Sequence, residues 1–277
     1  MLADSAGMDA PLTPEVAVIG GTGFYTFLDD VHEVDVDTPY GLPSGPIALG
    51  TVPTEDGPRA VAFLPRHGPG HRYPAHAVPY RANLWALRSL GVRQVLAPCA
   101  VGGLQPELGP GTLVVPDQLV DRTTNRNQTF YHSGAVHIGF ADPYCPRLRT
   151  ALVDGAPGGA VDGGALVVIE GPRFSTRAES QWYSREGWSI IGMTGHPEAV
   201  LARELALCYA TVALVTDLDA GVEAAEAVSH QEVLRVFGEH LDTLRDALRG
   251  VVGAVESDLT CDCASALDGL DLPITLP

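Results

Sequence analysis

Short apolar runs recur along the chain, and segments with helical periodicity lie between several of them. Six runs have the length and composition of buried strands, at 15–21, 59–65, 93–103, 111–120, 165–171 and 209–217. Three segments have the apolar spacing of helices, at 81–92, 197–208 and 229–256. Strands that are apolar throughout and alternate with helices indicate an α/β fold around a largely parallel or mixed sheet.

The length and composition predict a single domain. The chain has 277 residues, of which 45% are hydrophobic and 18% charged, so it carries enough apolar side chain for a substantial core. Residues 1–14 lack the basic and apolar regions of a signal peptide, and we expect them to be a flexible leader. Residues 15–257 are expected to form the domain, and 258–277 a C-terminal tail.

The net charge of −17 argues against two classes of partner. A protein that binds nucleic acid needs a basic face to displace counterions from phosphates, and only 17 Lys and Arg are spread along this chain. An anionic membrane surface would repel it for the same reason. No apolar run approaches the ~20 residues of a membrane-spanning helix. We therefore expect neither partner, and a cytoplasmic location.

Five cysteines are widely spaced, which is typical of a reduced, cytosolic protein. Cys261 and Cys263 form a C-x-C pair, which we interpret as two solvent-accessible thiols near a loose tail. A structural disulfide or a redox role is the alternative. A lone C-x-C lacks the four ligands of a structural zinc site, so no metal is expected there.

The first strand runs into "GGTGFY", Gly20 to Tyr25. Small residues in succession leave backbone N–H groups free to bind an anion, and Thr22 adds a hydroxyl. The stretch is not a P-loop, because no G-K-[ST] follows. It is also an incomplete dinucleotide motif, because Thr26 stands where the third glycine belongs. A tight turn without a ligand is the alternative.

The second strand runs into "PRHGPGHRYPAH". Arg66 has the forked guanidinium that suits phosphate, and His67 is its neighbour. Histidines 67, 71 and 76 have no nearby cysteine or carboxylate to complete a metal site. Anion binding by Arg66 and His67 and simple turn capping by loop histidines both remain open.

Further polar clusters follow other apolar runs. They are "PCAVGG" at 98–103, "EGPRFSTRAES" at 170–180, "IGMTGHPE" at 191–198 and "VTDLDAG" at 215–221. Ligands of open α/β folds bind at the carboxyl ends of strands. The last cluster places Asp217 and Asp219 where a strongly apolar strand ends, an unfavourable position for two carboxylates unless they act on a ligand or form a turn.

Taken together, these motifs resemble the trimeric purine nucleoside phosphorylase family, and within it the 5'-methylthioadenosine phosphorylase branch. The resemblance extends from about Val16 to about Leu248. It rests on "IGGTGFY", "RHGPGH", "YRANLWALRSLG", "GPGTLVVPDQLVDRT", "EGPRFSTRAES", "MTGHPEAVLARE" and "TDLDAG". It implies that 15–257 is one catalytic α/β domain, with a mixed sheet that curls into a barrel flanked by helices. It also implies a homotrimer with sites at the subunit borders.

The resemblance also implies roles for particular residues. Those matching the family's phosphate site are Thr22, Arg66, His67, Cys99, Ala100 and Thr194. Those matching its purine site are Phe174, Ser175, Met193, Thr216, Asp217 and Asp219. Those matching the pocket for the 5' substituent are His230, Val233 and Leu234, with His137 supplied by the neighbouring subunit. The branch often has a hydroxyl residue at the position of Cys99, and a thiol is a poorer hydrogen-bond partner, so more of the contact would pass to the backbone N–H of Ala100.

The resemblance also implies a chemical role for Asp217 and Asp219. Burial and the neighbouring Asp219 are expected to raise the pKa of Asp217, so that it protonates N7 of the leaving purine as general acid. Asp219 would accept a hydrogen bond from the amine of adenine. Relatives selective for 6-oxopurines commonly have Asn at the position of Asp217, so the aspartate pair favours adenine.

The function implied is phosphate-dependent cleavage of 5'-methylthioadenosine to adenine and 5-methylthioribose 1-phosphate. Inorganic phosphate is the co-substrate, and no metal or organic cofactor is expected. His230 fits a methylthio group poorly, which leaves open adenosine, another 5'-substituted 5'-deoxyadenosine or a 6-oxopurine nucleoside. Further alternatives are a non-catalytic nucleoside-binding protein and, from "GGTGFY", a dinucleotide-dependent oxidoreductase.

Overall fold

The structure is a computed structural model that describes residues 13–21, 27–222 and 228–277. Its strands are β1 (Val16–Gly20), β2 (Asp29–Val34), β3 (Ile47–Val52), β4 (Arg59–Pro65), β5 (Gln94–Gly103), β6 (Leu113–Val115), β7 (Gln118–Arg122), β8 (Val161–Asp162), β9 (Ala165–Ile169), β10 (Ile190–Gly192) and β11 (Cys208–Leu218). Its α-helices are α1 (Tyr80–Ser89), α2 (Pro146–Asp154), α3 (Arg177–Arg185), α4 (Gly195–Glu204) and α5 (His230–Ala254).

The two longest strands, β5 and β11, form the centre of the sheet. They run parallel from the pair Gln94 and Cys208 to the pair Gly103 and Leu218. Strand β5 also pairs with β1 in parallel and with β10 in antiparallel orientation. One path of the sheet runs β2-β3-β4-β1-β5-β10-β9-β7, and β11, β6 and β8 branch from it at β5. The predicted mixed α/β sheet is confirmed. The pairing among the described strands does not close a ring, so a barrel stays a prediction.

Alternation along the central strands supplies a core on each face of the sheet. Val16 and Val18 of β1 face one core with residues of α2 and α5, whereas Ala17 and Ile19 face another with residues of α1 and α4. Successive side chains of a strand point to opposite faces, so a strand buried on both faces must be apolar throughout. The helices therefore flank the sheet on both sides, as expected of a single α/β domain.

Sequence periodicity located five strands with a continuous apolar run and three helices, but it missed other elements. The predicted strands at 15–21, 59–65, 93–103, 165–171 and 209–217 and the three predicted helices are confirmed within a few residues. The run at 111–120 is divided into β6 and β7. The strands β2, β3, β8 and β10 and the helices α2 and α3 were not predicted, although β10 lies inside the sheet between β5 and β9. Strand β2 is mostly exposed, so it lacks the apolar pattern on which the predictions relied.

The tail at 258–277 packs against the domain. The expectation that Cys261 and Cys263 are accessible thiols on a loose tail is wrong, since Cys263 is buried and Cys261 is half-buried against the core that includes Val255. Ile274 and Leu276 pack against the opposite core. The pair faces two cysteines that are distant in the sequence. Among the described residues, no helix combines the length and apolarity needed to cross a bilayer.

Candidate active site

A cavity of about 630 Å³ opens where β4, β5 and β11 end. Most of the residues predicted for the site line it. They are Arg66, His67, Cys99, Ala100, Phe174, Ser175, Met193, Thr194, Thr216, Asp217, Asp219, His230, Val233 and Leu234. The carboxyl ends of neighbouring parallel strands meet at one edge of a sheet, which is why motifs far apart in sequence converge here.

Two predicted residues are not in this set. Thr22 lies outside the described residues, as does most of "GGTGFY". His137 is exposed and does not line the cavity of its own chain. A role for His137 in a neighbouring subunit's site stays a prediction.

The end of β11 brings the two aspartates together. The register of β11 against β5 shifts between Val215 and Asp217, a bulge that re-aims the side chains beyond it. A methyl group added at Gly102 would lie 3.1 Å from Oδ1 of Asp217 and 3.4 Å from Cβ of Asp219. Both side chains therefore approach the same point of β5, and both residues line the cavity.

Asp217 is held as a weak acid. Burial raises its pKa to about 6, a hydrogen bond from the Thr216 hydroxyl opposes the shift, and the charge of Asp219 adds to it. The Thr216 Oγ1 lies 2.9 Å from Oδ2 of Asp217. A carboxyl group with a pKa near the working pH can both hold and release a proton, as a general acid must.

Asp219 is buried, and its carboxylate is oriented by a hydrogen bond. The hydroxyl of Ser175 donates a hydrogen bond to its Oδ2. Ser175 follows Phe174, which is partly exposed at the cavity wall. The resemblance assigned these three residues to a purine site, and all three line the same cavity.

Arg66 lies at the other side of the cavity, in a buried ion pair. Its Nε and Nη2 atoms donate to the two oxygens of Glu198 at 2.8 and 2.9 Å. Its Nη1 donates to the carbonyl of Pro98 at 3.1 Å. The Tyr209 hydroxyl donates to Oε1 of Glu198 at 2.8 Å. A guanidinium has five N–H donors, so Arg66 keeps two of them beyond these contacts, although Glu198 compensates its charge.

His67 and Cys99 are uncharged neighbours of Arg66. Burial and the charge of Arg66 lower the pKa of His67 to about 4, so the ring is neutral near pH 7. Its Nδ1–H donates to the carbonyl of Tyr73 at 2.8 Å, which leaves Nε2 as an acceptor. Burial raises the pKa of the Cys99 thiol to about 12. Both groups offer hydrogen bonds to an anion and neither offers positive charge.

Arg126 was not identified from the sequence. Its side chain is buried and donates to the carbonyls of Met193, His196, Ile169 and Glu170. It thus ties the loop that follows β7 to the backbone that carries Met193. A single arginine in a polar stretch gives no sequence signal for such a role, because its carbonyl partners are set by the fold.

The mouth of the cavity is formed by the first turns of α5. His230, Val233 and Leu234 line it together with Phe237, which was not predicted. His71 also lines it, and burial followed by the charge of His230 lowers the pKa of His71. His71 stacks on His67, with ring centroids 4.1 Å apart. This side of the cavity therefore presents apolar side chains beside imidazoles.

Comparison with known proteins identifies the family to which this chain is similar. Residues 15–253 match the family model described as the phosphorylase superfamily. A purine nucleoside phosphorylase of Streptomyces coelicolor is 58% identical over 95% of this chain and 98% of its own. An S-methyl-5'-thioadenosine phosphorylase of Mycobacterium tuberculosis is also 58% identical, over 95% of this chain and 97% of its own. The crystal structure of a methylthioadenosine phosphorylase from an antarctic soil metagenomic library has a TM-score of 0.84 at 42% identity and covers 93% of this chain and 92% of that one.

The chain belongs to the phosphorylase superfamily, and it is an enzyme of the nucleoside phosphorylase type. The resemblance to the 5'-methylthioadenosine phosphorylase branch is confirmed, because relatives that carry this name match nearly the whole chain. The Streptomyces relative carries the broader name.

We predict that Glu198→Gln destabilises the protein by about 3 kcal/mol, since it leaves the Arg66 charge buried without a full counter-charge. Urea denaturation would measure the change. Glu179→Gln is the matched control, because Glu179 pairs with the exposed Arg173 and an exposed pair contributes less than about 1 kcal/mol. Gln also retains the capping role of residue 179 at α3. Equal losses in both variants would contradict a special role for the buried pair.

Proposed function

We propose that the enzyme cleaves 5'-methylthioadenosine with inorganic phosphate, giving adenine and 5-methylthioribose 1-phosphate. The observation that carries the proposal is the aspartate pair at the end of β11, with the pKa of Asp217 raised to about 6. The names of the relatives from Mycobacterium tuberculosis and the soil metagenome agree with this reaction.

In the proposed reaction a phosphate oxygen forms a bond to C1' as the bond from C1' to N9 breaks. The electron pair of that bond passes to the purine, and Asp217 donates its proton to N7. The side chain of Asp219, oriented by Ser175, accepts from the amine of adenine. Arg66, Thr194, Cys99 and the backbone around Ala100 hold phosphate by hydrogen bonds, and fixing both reactants in place supplies part of the catalysis.

No metal or organic cofactor takes part in the reaction. The active form is a homotrimer, in which the exposed His137 reaches the site of a neighbouring subunit. The enzyme works in the cytoplasm and does not act on nucleic acid or membranes.

Adenosine is the second candidate substrate. His230 and His71 lie at the cavity mouth, and an imidazole suits a 5'-hydroxyl better than a methylthio group. The Streptomyces relative's name, purine nucleoside phosphorylase, is compatible with this choice.

We predict that adenine release from methylthioadenosine requires phosphate and that Asp217→Ala loses most of the turnover while the protein stays folded. Chromatography of adenine with and without phosphate measures both effects, and circular dichroism checks the fold. Asp242→Ala is the control, since Asp242 is exposed on α5 and its loss should leave turnover unchanged. Release without phosphate would indicate a hydrolase. Faster release from methylthioinosine would contradict the base assignment, and near-normal turnover of Asp217→Ala would contradict the role of the acid.

We predict that the ratio of kcat/KM of the wild type to that of Asp217→Asn falls about tenfold per pH unit above pH 6. The carboxyl group must be protonated to donate, and its pKa of about 6 means that this form is lost as pH rises. Dividing by the variant cancels the ionisation of phosphate, because Asn does not titrate. A ratio that stays flat from pH 5 to pH 8 would exclude Asp217 as the titrating donor.

We predict that His230→Val raises the preference for methylthioadenosine over adenosine by about tenfold. Valine offers the methylthio group an apolar surface, and it cannot form the hydrogen bond that an imidazole forms with a 5'-hydroxyl. The two kcat/KM values give the preference directly. His240→Val, on the same helix but outside the cavity lining, is the control. An unchanged preference in His230→Val would place His230 away from the 5' substituent.

A further inference from the structure

Four cysteines converge on the side of the domain where the tail docks. Cys145 immediately precedes α2, Cys208 opens β11, and Cys261 and Cys263 belong to the tail. Their sulfur atoms all lie within 4.8 Å of one another. Three of the four residues are buried and Cys261 is half-buried. None of them lines the cavity of the candidate active site.

The spacing of the sulfurs matches ligands of a single ion. The Sγ of Cys261 lies 3.6 Å from that of Cys145 and 3.3 Å from that of Cys208. Four thiolates about 2.3 Å from a tetrahedral zinc ion are separated by about 3.8 Å, whereas a disulfide brings two sulfurs to about 2.05 Å. All four thiols are free. Cys261 is near two partners at once, as an ion requires and a disulfide does not.

We propose that Cys145, Cys208, Cys261 and Cys263 bind one structural zinc ion, which fastens the C-terminal tail to α2 and β11. The expectation that the C-x-C pair lacks two further ligands is wrong, because the fold supplies Cys145 and Cys208. An all-sulfur tetrahedral set favours zinc over harder divalent cations. An iron–sulfur cluster, with sulfides between its irons, needs thiolates farther apart than these.

The surroundings suit the negative charge of such a site. A zinc ion with four thiolates carries a net charge of about −2. The Nη2 of Arg147 lies 3.8 Å from the Sγ of Cys208, and the same atom donates to Oε1 of Gln94 at 2.6 Å. Gln94 is itself held by a bond from its Nε2 to the carbonyl of Glu256. Cys145 is the N-cap of α2, where the positive end of the helix stabilises a thiolate. Arg147 and Gln94 thus form an outer shell of the kind that orients metal ligands.

The ion would act on stability rather than on the reaction. Cys208, Cys263 and Val255, at the end of α5, share one core with Leu244 and Val251 of that helix. Fixing the tail therefore fixes the carboxyl half of α5, whose first turns line the cavity mouth. Because binding to the folded state alone stabilises it, loss of zinc should lower the melting temperature before it lowers turnover.

Elemental analysis of the full-length protein, purified under reducing conditions without a metal-affinity step, tests the site. We expect one zinc ion per chain, and we expect it to be lost in Cys263→Ser together with a fall in melting temperature of about 5 °C or more. The control is Cys99→Ser, which alters the fifth cysteine and should keep its zinc. A count of free thiols before and after reduction, made on denatured protein from a second purification without reductant, separates zinc from disulfides.

Three results would overturn the proposal: protein without zinc that has five free thiols, protein with a disulfide among these four cysteines, and iron in place of zinc. If Cys263→Ser does not fold, the wild type grown with cobalt decides the question. Tetrahedral cobalt with four thiolates absorbs strongly in the visible range, and protein that lacks this absorption contradicts the site.

Discussion

The buried ion pair of Arg66 and Glu198 joins the elements that form the phosphate side of the cavity. Arg66 directly follows β4, Glu198 lies in the first turn of α4, and the pair also bonds to Pro98 of β5 and Tyr209 of β11. Two charges removed from water are tolerated when they are paired and hydrogen-bonded, and here Arg66 donates two hydrogen bonds to Glu198 and one to the carbonyl of Pro98. The pair therefore fixes one orientation of the guanidinium, and the remaining N–H groups of Arg66 are presented to the cavity in that orientation.

The parallel pairing of β5 with β11 determines the geometry of the other side of the cavity, where Asp217 lies. Over most of their length the two strands are apolar and buried, and only beyond the bulge at Thr216 does β11 carry carboxylates. Asp217 thus lies where the apolar core gives way to the cavity, which is why burial raises its pKa while the side chain still reaches a ligand. The glycines that end β5 leave room for it, since a methyl group at Gly102 would approach Oδ1 of Asp217 to 3.1 Å. The pairing of β11 with β5 therefore helps to set the pKa of Asp217.

The strands and site motifs that local sequence patterns encode could be predicted from the sequence. Continuous apolar runs identified β1, β4, β5, β9 and β11, and the polar clusters that follow apolar runs contained most of the cavity lining outside α5. Sequence reasoning did not find contacts that depend on the tertiary fold. Arg66 was assigned to anion binding and Glu198 was given no partner, because nothing local shows that residues so far apart pair with each other. Arg126 binds backbone carbonyls, which have no sequence signature, and the C-x-C pair was judged without Cys145 and Cys208.

The neutrality of the phosphate side has a consequence for the rate of encounter. Arg66 is compensated by Glu198, and the lowered pKa of His67 leaves that ring uncharged, so Arg66 and His67, among the described residues, give this side no excess of positive charge to attract an anion. The whole chain carries a net charge of −17 and repels phosphate at long range. Salt screens that repulsion but leaves short hydrogen bonds inside the cavity largely intact. Phosphate association with this enzyme should therefore accelerate as ionic strength rises, the reverse of sites that attract anions with a basic surface.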